Sequence, residues 1–227
     1  MLRNHYNKVG ISFKEVFLGI KDVIIKTLIA IEPHIVNNFN RFTKHKSTCF
    51  EVYGFDVLVD SDLKAWILEV NVCPSFSSSS KLDKKIKTMM LSDAFHCIGI
   101  NPYDRKKLEK EEEKISKSRL LGTNKANPGG KSKHITKTDG EIRDFKEQVD
   151  NLSYDEVWML MEYEEELHRK GFYELIFPKV NNIKTYEKFF EWPRHNNILL
   201  WSYLRYGRSV SLGKCFKKLL KEKENNQ

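Results

Sequence analysis

Residues 49–80 read CFEVYGFDVLVDSDLKAWILEVNVCPSFSSSS, and two apolar runs within them decide the fold. Residues 50–59 and 65–72 are rich in Phe, Tyr, Val, Ile, Leu and Trp, which suit a pleated, half-buried surface; the polar Asp60-Ser61-Asp62 cluster between them marks a turn. A β-hairpin is expected. With an even turn, either Asp62-Leu63 or residues 61–64, Asp56 lies opposite Glu69 and Gly54 opposite Asn71. Side chains alternate with period two, so Asp56, Glu69 and Asn71 then converge on one side. An odd turn sends Asp56 to the other face. Carboxylates opposed across a ladder repel unless a cation sits between them, and Mg²⁺ suits a carboxylate or two plus substrate phosphates. The competing reading is a plain solvated hairpin face that carries acids.

The flanking segments read as helices. Phe13, Phe17, Ile20, Ile24, Leu28, Ile31 and Ile35 recur at spacings of three and four, a buried stripe over residues 13–39 that should cover the hairpin's other face. Lys26 on this helix is expected to be an ordinary solvated lysine. A second helix is expected over 83–98, burying Ile86, Met89, Met90, Ala94, Phe95 and Ile98 and ending at Gly99. The loop 75–80 before it offers hydroxyls and amides at a helix entrance, where phosphate or carboxylate can bind.

The run from Cys49 through Asp60, the run Leu63-Lys64-Ala65-Trp66-Ile67-Leu68-Glu69-Val70-Asn71, then Pro74-Ser75 and Leu82-Asp83-Lys84-Lys85-Ile86-Lys87, closely resemble the tubulin–tyrosine ligase-like family. The likeness covers roughly residues 20–105. A looser match, Glu164-Glu165-Glu166 through Gly171-Phe172 to Ile176-Phe177-Pro178, resembles the segment after the catalytic domain in the polyglutamylase branch. The resemblance implies an ATP-grasp ligase of α+β class, with this chain carrying the C-terminal half of that domain, a β-hairpin packed by helices. It also implies the chemistry. ATP phosphorylates a carboxylate, the amine of free glutamate attacks the acyl phosphate, and the acceptor is a glutamate side chain in the acidic tail of tubulin. Asp56, Glu69 and Asn71 match the family's Mg²⁺–ATP ligands, and Ser75, Lys85 and Lys87 match positions suited to an acidic substrate. Phosphoryl transfer needs exactly such charge neutralisation more than covalent chemistry from the protein.

Ala65, Cys73, Phe76 and Lys81 depart from the family pattern without removing a ligand. The larger departure is that the family's first half is expected before residue 1. No glycine-rich phosphate loop precedes the hairpin, and the adjacent pair Gly129-Gly130 falls after it. The chain taken alone is therefore expected to be inactive, and a non-catalytic remnant that binds acidic partners is the alternative function.

Composition bounds the remainder. The 227 residues are 40% hydrophobic and 31% charged, enough for one modest core and a looser second region. No run of about 18 apolar residues occurs, so no membrane partner is expected. The protein is expected in the cytoplasm and cytoskeleton, the cilium or basal body included. Cys49, Cys73, Cys97 and Cys215 stand far apart without CxxC spacing, which argues for reduced thiols and against zinc.

Three segments follow: 1–105, the ligase part; 106–150, a charged flexible linker with Asn127-Pro128-Gly129-Gly130 inside it; and 151–227, a helical, basic extension. Ser153-Tyr154-Asp155-Glu156 is a capping box, so 154–170 should be helical and stop at Gly171. Its Trp158, Leu160, Met161 and Leu167 read as packing residues, and Glu162, Glu164, Glu165 and Glu166 as a solvated face. The net charge of +8 concentrates between residues 114 and 137 and again between 205 and 223. Such tracts attract polyanions. The first lacks interleaved aromatics to stack on bases, which argues against nucleic acid, and the family resemblance implies an acidic tubulin tail as the partner.

Overall fold

The computed structural model describes residues 3, 6, 8–42, 49–99, 106, 110, 113, 117, 145 and 151–225. The chain divides into two units, Met1–Gly99 with Asp144–Gln227, and Ile100–Arg143. Nearly all of the expected linker and of the 114–137 basic tract lies outside the described residues.

In the first unit the elements are α1 (Phe13–Phe42), β1 (Gly54–Val59), β2 (Ala65–Asn71), α2 (Lys81–Ile98), α3 (Tyr154–Arg169), α4 (Ile183–Glu187), α5 (His195–Ser202), a π-helical turn Tyr203–Gly207, and α6 (Leu212–Asn225). The class is α+β, as the sequence implied. No described helix is long and apolar enough to cross a membrane.

The two strands pair antiparallel, and Asp56 does face Glu69, with Gly54 facing Asn71. The route differs from the expected even turn. Asp60 N–H bonds the Lys64 carbonyl at 3.0 Å and Leu63 N–H bonds the Asp60 carbonyl at 3.1 Å, closing an odd loop in which Leu63 takes φ 62°. Asp60 explains why this turn wins. Its carboxylate accepts from Asp62 N–H at 3.0 Å, Lys64 N–H at 2.9 Å and Trp66 Nε1–H at 2.7 Å, satisfying donors that an even turn would arrange differently. The odd loop pairs Val59 with Ala65, Leu58 with Trp66 and Val57 with Ile67; an irregularity between Asp56 and Val57 then leaves Leu68 as one extra residue on β2. This bulge shifts the phase by one and restores Glu69 opposite Asp56.

α1 lies along both strands as expected, with Val16, Ile25 and Ile29 buried. Ile25 and Ile29 pack on Tyr186, flanked by Ile176, Phe177 and Phe190 from the C-terminal extension. The stripe expected on α1 is a correction: none of its seven residues is buried, Phe13, Ile20, Ile24 and Leu28 being half-buried and Phe17, Ile31 and Ile35 exposed, because the buried line runs one residue aside through Val16, Ile25 and Ile29. Lys26 is not simply solvated: it pairs with Asp22 at 2.7 Å and lies over the Phe189 ring.

α2 begins at the Ser80 cap, whose Oγ accepts from Asp83 N–H at 3.1 Å, and ends at Gly99 with φ 65°. Its expected buried face is a correction. No α2 residue is buried, and Ile86, Met89 and Phe95 are exposed. The edge that packs is Met90, Asp93 and Cys97, at spacings of three and four: the Met90 carbonyl accepts from Tyr173 Oη, Asp93 from Phe172 N–H, and the Cys97 carbonyl from Arg169 Nε.

α3 carries the expected capping box. Glu156 N–H bonds Ser153 Oγ at 3.3 Å, and Glu156 Oε2 accepts from Ser153 N–H at 2.7 Å. The helix ends at Arg169, with Gly171 at φ 54°. Val157 and Leu160 are fully buried among Phe145, Leu152, Ile183, Leu199, Leu200, Tyr203, Leu204 and Leu212, the larger core. Burial of such a side chain contributes about 1.5–3 kcal/mol. Trp158 is instead partly exposed, against Tyr154 and Phe216. The acidic run is divided: Glu165 pairs with Arg169 at 2.8 Å, while Glu164 bonds the Tyr203 hydroxyl, which burial and that carboxylate push up to about 12.

Candidate metal centre

Three elements build the site. β1 supplies Asp56; β2 supplies Glu69 and Asn71 two residues apart on one face; and the segment after β2 folds back over Gly54. A Cβ at Gly54 would stand 3.0 Å from Pro74 Cβ and 3.6 Å from Asn71 Cβ, so glycine there lets the chain turn closely behind Asn71.

Asp56 and Glu69 share a hydrogen bond, and Asn71 Nδ2 donates to Glu69 Oε1 at 2.9 Å. The shared bond and the neighbouring charge raise the Asp56 carboxyl above its ordinary value, while Asn71 and Asp56 hold Glu69 below its own. A cation between the two carboxylates would relieve the same repulsion. Two carboxylates and an amide form a hard oxygen donor set once the Asn71 amide is rotated to present Oδ1, and this fits Mg²⁺. Among the described residues no group of three or more His, Cys, Asp or Glu could hold a metal ion, so the donor set here rests on two carboxylates and an amide. None of the four cysteines forms a disulfide.

Leu58, Trp66, Leu68 and Val72 are exposed on or near this hairpin, an open apolar setting around the carboxylates. Lys64 caps Trp66 with its ammonium 3.8 Å from the ring centroid. Ser75, Lys85 and Lys87 sit beyond the strand. Ser75 Oγ is 2.7 Å from Ser77 Oγ; Lys87 bonds the Ser77 carbonyl and pairs with Asp83 at 3.3 Å; Lys85 is exposed. Lys87 therefore staples the serine loop to α2. Sequence reasoning missed this staple, which was foreshadowed only by the i, i+4 spacing of Asp83 and Lys87.

The sequence model described as the Tubulin-tyrosine ligase family matches residues 1–108, which include all three oxygen donors. This chain belongs to that family. It is 33% identical over 227 residues to tubulin monoglutamylase TTLL4 of Homo sapiens, covering 92% of this chain and 19% of that protein. Tubulin polyglutamylase TTLL6 of Mus musculus is 38% identical over 192 residues, covering 83% and 21%, and tubulin polyglutamylase TTLL5 of Homo sapiens is 32% identical over 209, covering 86% and 16%. The chain spans about a fifth of these relatives, and the likeness runs past the family match into the C-terminal extension.

Proposed function

We propose that this chain is part of an ATP-dependent ligase that adds free glutamate to glutamate side chains in tubulin tails. The observation that carries the reading is the convergence of Asp56, Glu69 and Asn71 on one hairpin face, inside the region that matches the family. When bound, Mg²⁺ would supply the positive charge that phosphoryl transfer needs. In this reading Asp56 and Glu69 would hold the ion through their carboxylates, and Asn71 would complete the set through Oδ1. The acceptor carboxylate takes the phosphoryl group as ADP departs; the glutamate amine then attacks the carbonyl carbon, releases phosphate and loses a proton. Ser75, Lys85 and Lys87, beside the site along the chain, would meet the acidic acceptor. Cytoplasmic microtubules, those of the cilium or basal body included, are the place of action.

Asp56 and Glu69 lie on an open face, and a single wall neither excludes water nor fixes phosphates in line. The 227-residue chain is accordingly expected to bind Mg²⁺–ATP weakly and not to turn over. Calorimetry should show that Glu69→Gln weakens Mg²⁺–ATP binding about tenfold or more. Unchanged binding would remove the metal assignment. Incorporation of labelled glutamate into tubulin above the Glu69→Gln control would overturn the inactivity.

A second reading has its own observation. α6 exposes Lys214, Lys217, Lys218 and Lys221 opposite an apolar face on Leu212, Phe216 and Leu219, and this basic helix would attach the chain to acidic partners without catalysis. Microtubule co-sedimentation that weakens with salt and with tail removal supports it.

A further inference from the structure

The start of α1 forms one side of a groove of about 790 Å³, lined by Arg3, Lys14 and Lys21, by Phe13, Phe17 and Leu18, and by Glu174 from the extension. None of these residues belongs to the metal set. The Phe13 and Phe17 rings stack at 5.3 Å, the Arg3 guanidinium lies 5.4 Å over Phe13, and the Lys21 ammonium lies 5.1 Å over Phe17. Glu174 already occupies part of this surface. Its two oxygens accept from Lys21 at 2.7 and 2.6 Å, and Lys179 approaches one of them at 3.6 Å. Two lysines thus hold one carboxylate, a glutamate side chain of the protein itself, while Arg3 and Lys14 line the groove with it.

We propose that this groove docks a glutamate-rich acidic peptide, seating its carboxylates on Arg3 and Lys14 and competing with Glu174 for Lys21. In naming an acidic peptide the proposal rests on the function proposed above, but it needs neither ATP nor metal. The internal pair shows the recognition chemistry: an ammonium bound to both oxygens of a glutamate, with a second lysine in support. The aromatic floor favours this ligand over nucleic acid. Phe13 and Phe17 stack on each other and carry cations, so they are poorly placed to stack on bases.

Fluorescence anisotropy of a labelled oligoglutamate peptide with the 227-residue chain at low salt tests the groove. Arg3→Glu with Lys14→Glu should weaken binding about tenfold, whereas the same charge change through Lys184→Glu with Lys188→Glu should cost less than about threefold. Glu174→Gln should strengthen binding about threefold, because it removes the internal competitor for Lys21 and Lys179. Equal losses from the two double variants, no gain from Glu174→Gln, or tighter binding of single-stranded RNA than of oligoglutamate would each overturn the proposal. Peptide bound in the groove by a chain whose Mg²⁺–ATP binding is indifferent to Glu69→Gln would remove the metal assignment and leave the groove standing.

Discussion

Replacing Gly171 by alanine should destabilise the first unit by about 2–3 kcal/mol. The residue sits at φ 54°, where an L side chain costs roughly 1–2 kcal/mol. Its Cβ would also stand 2.6 and 2.7 Å from the two carboxylate oxygens of Asp93. Asp93 must then move, and it now accepts from Phe172 N–H at 2.9 Å, a bond whose loss costs about 1 kcal/mol. For a chain of this size the sum corresponds to a fall of roughly 5–10 °C in Tm. Urea unfolding followed by tryptophan fluorescence measures it. The structure further requires coupling: once Asp93 has been displaced, Asp93→Ala has little left to remove, so the double variant should cost about 1 kcal/mol less than the sum of the singles. A Gly171→Ala cost below about 0.5 kcal/mol, or strict additivity with Asp93→Ala, would refute the packing of α2 on the α3 terminus described here.

Ser153→Ala should cost about 1 kcal/mol by removing the α3 cap. Burial opposes ionisation of Glu156, but the Ser153 N–H, Ser153 Oγ–H and His195 bonds hold its carboxyl below the ordinary value. Stability from a depressed carboxyl is present above its unfolded value and lost as pH falls through the folded one, so the gap between wild type and Ser153→Ala, read by urea unfolding, should narrow below about pH 4. At the metal site the sign is opposite. Asp56 is raised and Mg²⁺ binds its carboxylate form, so affinity should climb as pH rises through the Asp56 value and then level, with that step absent in Asp56→Asn. A flat pH profile would contradict the pairing of the two carboxylates.

What could be read from the chain was local. The apolar runs specified two strands, the Ser153 box and Gly171 specified α3, and the Asp56, Glu69 and Asn71 grouping followed from pairing. The turn could not be counted correctly, because Asp60 recruits three donors to an odd loop and a bulge at Leu68 cancels the resulting phase error. Two departures from ideal hairpin geometry produced the alignment that an ideal hairpin with an even turn predicts. The apolar face assigned to α2 failed for a different reason: periodicity reports which residues share a side, and says nothing about whether a partner covers that side. Long-range ion pairs were equally hidden, since nothing local to Lys21 points to a residue 153 positions away.

The contacts along α1 bear on where this protein can be cut. Lys21 holds Glu174, Asp22 accepts from Tyr186 Oη at 2.9 Å, and Glu32 holds Arg194, so the returning chain is fastened at stations about 16 Å apart on one helix. The family match ends at residue 108, before all three fasteners. An excision drawn at that edge would strip Tyr186 from Ile25 and Ile29 and strand two acids and a lysine on a helix still obliged to support the strands. The boundary of the recognisable pattern and the boundary of the self-supporting piece are different lines on the same chain.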